Sequence, residues 1–219
     1  MMDSARLEAF SDGVFAVAIT LLALNLAVPG PGHGPLLHQL GHQWPVYVAY
    51  VVSFFVIGVL WVNHHSLFRQ VGRVDRGLLY ANLCLLLFVV VIPFITSTLA
   101  DYLRAGGQDA RVAAVVYALV MEGMGLSFTL MFAYVVRAGL LVAPLSPAAS
   151  RAAIIRFGVG AGAYVVAIGA AFVSAPLVLV IAGAITAYYI FERVPTEPES
   201  EPGSDLGQRP DRDHGGATT

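Results

Sequence analysis

The sequence predicts an all-α membrane protein with six transmembrane helices per subunit, and three observations carry that expectation. Of the 219 residues, 58% are hydrophobic and only 12% charged, whereas a soluble domain carries about 25% charged residues. The apolar residues gather into runs close to the roughly 20 residues that a helix needs to cross a hydrocarbon core about 30 Å thick. Short polar stretches separate the runs, and the arginines are divided unevenly among those stretches.

In chain order the runs cover 9–28, 46–67, 78–100, 112–136, 153–174 and 176–191. The first competes with a secretory signal, but Asp3, Glu8 and Asp12 spoil a positive leading region and the run is long for a signal core, so a mature helix is expected. The last is short enough to tilt differently or to lie partly in the interface. Pro176 suits its first turn, where the missing N–H has no helical partner to lose. All twelve basic residues are arginines. Arg6, then Arg69, Arg73 and Arg76, then Arg137, Arg151 and Arg156, and finally Arg193 fall on one side of a six-span chain. Only Arg104 and Arg111 fall on the other. Positive charge stays on the cytoplasmic side, so both termini are expected in the cytoplasm of a multi-pass protein of the cell membrane.

The segment 29–45 lacks arginine but holds His33, His38 and His42, which fits an outside loop. Beyond the spans, 194–219 is rich in Pro, Glu, Asp, Gly and Ser with little to bury. It reads as a disordered acidic cytoplasmic tail after a transmembrane domain at 1–193. A formal net charge of −2 offers no basic surface to nucleic acid. The single Cys84 sits inside an apolar run, so no internal disulfide and no cysteine-based metal cluster is expected. Neither a metal site nor a cofactor is expected; the spaced loop histidines are a weak metal motif.

Polar residues inside lipid are expensive, and each is a functional hypothesis by default. Ser11 and Asp12 fall about one turn inside the cytoplasmic end of the first span. Trp61, Asn63, His64 and His65 fall at the cytoplasmic end of the second, and Asn82 just inside the third. Helices of alternating direction bring these residues to one depth, which allows a buried hydrogen-bonded network; separate solvation at the interface is the competing explanation. Glu122 differs, being near the middle of the fourth span, where it must be neutral, paired or beside water. Its neighbours Gly123, Gly125 and Ser127, like Gly158, Gly160, Gly162 and Gly169 in the fifth span, read as close helix packing.

On the first span, steps of three and four align Arg6, Phe10, Gly13, Val17, Thr20 with Leu21, and Leu24 on one face. Such a stripe is either ordinary packing or, with several copies around an axis, rings of apolar side chains able to gate ions by dewetting. Periodicity does not choose between the two.

The run RLEAFSDGVFAVAITLLAL at 6–24, with its Arg6-x-x-x-Phe10-Ser11-Asp12 pattern, resembles the opening helix of the transmembrane protein 175 family, the lysosomal potassium channels and their bacterial relatives. The likeness continues through WVNHHSLF at 61–68, Asn82-Leu83 and Pro93. It covers the first three spans with specific motifs and the rest by number and hydrophobicity alone. The resemblance implies a potassium-permeable channel without voltage gating, whose pore is lined by the first helix of each six-helix unit. One unit in the chain implies the bacterial form, a homotetramer in the lipid bilayer with potassium ions as its cargo. By position, Val17, Thr20, Leu21 and Leu24 become pore or gate residues. Arg6, Phe10, Ser11, Asp12, Trp61, His64 and Asn82 become the polar network that braces the pore helix.

Two departures from the family pattern stand out. Val17 is smaller than the usual Ile or Leu, which implies a wider ring and weaker selectivity. Asn25 stands where many bacterial relatives have an acid, so the outer mouth concentrates cations less. The carbonyl-lined Thr-Val-Gly-Tyr-Gly filter is missing, which leaves the apolar rings and the Thr20 hydroxyls to set ion preference. Two other classes compete with a channel. A proton-coupled secondary transporter would use Asp12, His64 and Glu122 as a relay, but no inverted repeat is visible. An intramembrane enzyme would need a His-Glu-x-x-His or Ser-His-Asp arrangement, and the sequence has neither, so no catalytic residue is expected.

Overall fold

A computed structural model describes residues 4–191, and within them the chain is all-helical. Seven helices follow in order: α1 (Ser4–Ala23), α2 (Leu36–His42), α3 (Trp44–Phe68), α4 (Arg76–Ala105), α5 (Gly107–Arg137), α6 (Pro147–Val173) and α7 (Leu177–Phe191). Among the described residues, α3, α4, α5 and α6 are long and apolar enough to cross a membrane, and α7 is a shorter apolar helix. The chain is therefore an α-helical multi-pass membrane protein. The expected tail at 194–219, and with it the domain boundary at 193, lies outside the described residues.

Helix α1 begins and ends five residues earlier than the apolar run 9–28. Its first turn is polar, with Ser4, Arg6 and Glu8 around the buried Leu7, and a count of apolar residues overlooks such a start. At the other end the apolar run continues while the helix stops. Leu24 and Leu26 donate to the carbonyls of Leu21 and Ala23 at 3.2 and 3.1 Å, three residues back, so the chain tightens and leaves the 3.6-residue winding. Pro29 follows, which disfavours helix at Val28. Leu24 thus sits just past α1 instead of on its last turn.

The segment 29–45, expected to be a plain loop outside the membrane, contains α2. Gly30, Gly32 and Gly34 all adopt φ near +90°, a region where a side chain is strained. Gln39 ties this segment down: its Oε1 accepts from the Gly30 N–H, and its Nε2 donates to the carbonyls of Gly30 and Gly34.

Helices α3, α4, α5, α6 and α7 form a ring, each packing on the next, with α7 returning to α3. Helix α1 lies outside this ring against α3 and α4. The core runs through the ring, with Ile57, Leu85, Val89, Ile92, Met121 and Ala167 sealed inside. Pro93 sits within α4 without ending it; because proline has no N–H, the Val89 carbonyl loses its usual partner there. Close by, the Ser53 hydroxyl lies 2.8 Å from Thr96 Oγ1 and 3.0 Å from the Tyr117 hydroxyl, so α3, α4 and α5 share buried hydroxyls.

The glycines divide by surroundings. A Cβ at Gly160 would collide with the Tyr189 hydroxyl, and one at Gly123 with the Phe88 ring. At Gly125, Gly158, Gly162 and Gly169 it would meet nothing within 4 Å. Close packing therefore applies to Gly123 and Gly160 and not to their neighbours. Spacing along one helix does not reveal which glycine faces a bulky partner.

At the end where α3 stops and α4 begins, Asp75 caps α4 by accepting the Leu78 N–H at 2.8 Å. The Tyr134 hydroxyl of α5 donates to its other oxygen at 2.7 Å. The Leu78 N–H and then the Tyr134 hydroxyl hold the Asp75 carboxyl below its usual range. An antiparallel bridge between Val71 and Leu141 joins the two connections on this side.

Candidate functional site

The inward face of α1 is Leu7, Ser11, Phe15, Ala18 and Leu22, all buried against α3 and α4. These positions advance by three or four residues, one face of a 3.6-residue helix. Everything about the site follows from which α1 side chains share that face and which are rotated off it.

Ser11 is fully buried and its hydroxyl donates to the Leu7 carbonyl at 2.9 Å. The same oxygen accepts from Asn82 Nδ2 of α4, also at 2.9 Å. With the amide turned that way, Asn82 Oδ1 faces His64 Nε2 of α3 at 2.9 Å, so the imidazole is the donor. The outcome is a one-way chain, His64 to Asn82 to Ser11 to Leu7, in which all three side chains are fully enclosed. Phe15 and Phe68 flank the imidazole, with ring centroids 5.3 and 4.3 Å away. In so dry a setting each unmade bond is costly, so the chain sets the register of α1, α3 and α4 together.

Asp12 is one residue, or about 100°, further round α1. Its Oδ1 accepts from Trp61 Nε1 of α3 at 2.8 Å. One turn earlier, Glu8 Oε1 meets His65 Nδ1 at 2.7 Å. The rings of Trp61 and His65 stack 5.8 Å apart. Adjacent histidines on α3 therefore serve different partners, His64 the buried chain and His65 the outer carboxylate. Glu8 is a partner that the polar residues of the sequence do not single out, although its spacing of four from Asp12 places the two carboxylates on one face.

Arg6 and Phe10, expected in the same network, take no part in these hydrogen bonds. Each precedes an inward residue, Leu7 or Ser11, and is turned about 100° away from it. Phe10 is 52% exposed. Val17, Thr20 and Leu21 also lie on the outward face, Val17 being 55% exposed. The Thr20 hydroxyl donates to the Val17 carbonyl of its own helix at 2.9 Å. Leu24 is more exposed still, on the tightened turn after α1. Helix α1 thus has one face bonded into the protomer and an opposite apolar face, carrying one hydroxyl, left uncovered.

Glu122 stands apart from this site, half-buried on α5 between Met121 and Gly123. Its Oε2 is enclosed with no hydrogen-bond partner among the described residues. No hydrogen bond links it to Asp12 or His64 among the described residues.

The family described as endosomal/lysosomal potassium channel TMEM175 matches residues 6–93, which run from α1 to Pro93 of α4. A protein of Streptomyces collinus described as a potassium channel is 51% identical over 197 residues, covering 89% of this chain and 95% of its own. One of Chamaesiphon minutus, also described as a potassium channel, is 40% identical over 176 residues, covering 78% and 86%. The crystal structure of a lysosomal potassium-selective channel TMEM175 homolog from Chamaesiphon minutus matches with a TM-score of 0.76 at 35% identity, over 85% of this chain and 96% of that one. With half of its residues shared across nearly the whole length of one such relative, and the fold shared with another, the chain belongs to the TMEM175 family.

Proposed function

We propose that the protein is a potassium-permeable channel of the cell membrane, a homotetramer in which α1 from each of four subunits lines one passive pore. The observation that carries this is the two-sided character of α1. Ser11 and its neighbours hold one face to α3 and α4, while Phe10, Val17 and Leu21 present an apolar face that nothing in the protomer covers. The relatives described as potassium channels support the same reading. In it α1 and α7 also cross the membrane, completing six spans within 1–193, with both termini cytoplasmic. At 20 residues α1 is about 30 Å long, enough to span.

Val17 and Leu21 then form apolar rings that close the pore to hydrated ions, and Thr20 supplies the hydroxyls between them. Ser11, Asp12, Trp61, His64 and Asn82 brace the pore helix from behind. A transporter that relays protons through Asp12, His64 and Glu122 gains no support, since Glu122 lies outside the hydrogen-bonded set. The purified chain in liposomes is expected to pass potassium down its gradient without a coupled proton gradient, and to have the mass of four subunits. A stable monomer, or uptake that saturates and stops when the proton gradient collapses, refutes the reading.

A further inference from the structure

Beside the buried chain lies a second cluster with different chemistry. Glu8, Asp12 and His65 each offer one donor atom, and the three donors lie within 4.8 Å of one another. We propose that Glu8 and Asp12 of α1 and His65 of α3 form a binding site for a divalent metal ion of the zinc class, clamping α1 to α3.

The donor set argues for such an ion. One imidazole nitrogen with two carboxylate oxygens suits a borderline-soft divalent cation better than an alkali ion or magnesium, which prefer oxygen alone. Charge argues the same way. Two carboxylates face one imidazole, and among the described residues neither forms an ion pair with an arginine. A single divalent ion balances both.

The supports are already in place. Glu8 and Asp12 are four residues apart on a rigid helix, so they rise one above the other on one face. Trp61 Nε1 holds the Asp12 carboxylate from outside at 2.8 Å, the role that outer hydrogen bonds play around metal ligands. The stacked Trp61 ring holds the plane of His65. Around a tetrahedral ion with bonds of about 2.0–2.2 Å, donors stand roughly 3.3–3.6 Å apart. The present donors, within 4.8 Å of one another, are close to that spacing. The side chains of His65 and Glu8 are 41% and 21% exposed, so the cluster borders the surface, while the His65 Nδ1 itself is enclosed.

The test uses the full chain, purified in detergent, freed of metal with a chelator and titrated with Zn2+. Calorimetry and elemental analysis are expected to show one ion per chain, with a rise in thermal midpoint because only the folded state assembles the site. Glu8→Gln and His65→Gln, both at partly exposed positions that leave the Ser11–Asn82–His64 chain intact, are each expected to weaken binding at least about tenfold. A double change of His38 and His42 to Ala leaves it unaltered. In a Trp44→Phe background, Zn2+ changes the emission of Trp61 only while Glu8 and His65 are present. Wild-type protein that takes up no Zn2+ overturns the proposal. So does uptake that survives both substitutions, or that disappears with the outer-loop histidines. None of these readouts depends on conduction, so failure of the site and failure of the channel reading remain distinguishable.

Discussion

Asn82 of α4 donates a 2.9 Å hydrogen bond to the Ser11 hydroxyl of α1, 71 residues away, and at the same time accepts from His64 of α3. One amide therefore joins three helices. Asn82→Ala orphans the Ser11 acceptor and the His64 Nε2–H together, and an enclosed unpaired group costs about 1–3 kcal/mol. Ser11→Ala removes one bond to the Leu7 carbonyl of its own helix and one between helices, from Asn82, and interhelical bonds in membranes average about 0.6 kcal/mol. Unfolding in mixed detergent is expected to rank Asn82→Ala as the more damaging. The double variant is expected to cost less than the two losses added, because both act on one chain. Equal or strictly additive losses contradict a linked chain.

How much of this was legible beforehand differs from residue to residue. That Ser11, Trp61, His64 and Asn82 lie at one depth follows from helix direction and distance from the cytoplasmic ends, which hydropathy supplies. Which of them touch does not follow, because neighbours in sequence differ by about 100° around a helix. So Ser11 and Asp12 share a depth, yet one bonds to α4 and the other to α3. Glu8–His65 and Ser53–Thr96–Tyr117 are hidden in the sequence for the same reason: no local signal says which face of α1 or α3 meets which neighbour. The end of α1 is not legible in the sequence because the apolar run outlasts the helix, and α2 is not because seven residues among glycines carry too little periodicity.

At the loop before α4, Asp75 links stability to pH. Its carboxyl lies below the usual value in the folded protein, held by the Leu78 N–H and the Tyr134 hydroxyl. A depressed folded value means the stabilisation is complete above the unfolded value of about 3.9 and is lost as pH falls through the folded one. Asn caps a helix about as well as Asp, so Asp75→Asn keeps the cap while removing the charge and the oxygen that accepts from the Tyr134 hydroxyl. The wild type is expected to melt higher than this variant at neutral pH, and the gap to shrink below about pH 4. A gap that is constant with pH, or that widens in acid, contradicts the assignment. Tyr134→Phe is expected to narrow it partway.

Two glycines on α6 make a controlled comparison. Gly160→Ala places a methyl against the Tyr189 hydroxyl, which donates to the Arg156 carbonyl at 2.9 Å, so that bond must move or break. Gly162→Ala meets nothing within 4 Å and improves helix propensity by about 0.8–1.0 kcal/mol in soluble hosts. The thermal midpoint is expected to fall by an amount that corresponds to about 1–3 kcal/mol for the first, the usual cost of overpacking. It is expected to hold or rise for the second. Equal effects refute the packing difference.

The outward face of α1 carries the proposed pore, and its residues are not equivalent. Val17 stands on the helix, 55% exposed, with its carbonyl bonded to the Thr20 hydroxyl. Leu24 stands beyond the helix end, on a tightened turn whose direction no longer follows the stripe. In the proposed tetramer Val17 would form an apolar ring within the span, with Leu24 beyond the end of α1. Val17→Asn adds a group that holds water in that ring, so it is expected to raise potassium flux into liposomes severalfold by lowering the dewetting barrier. Leu24→Ala is expected to change flux in the same direction by less. Phe15→Ala, on the buried face of α1, is expected to act through stability, with a loss of about 3–5 kcal/mol if the cavity stays open. Wild-type currents from both Val17→Asn and Leu24→Ala would move the ion path off this face of α1.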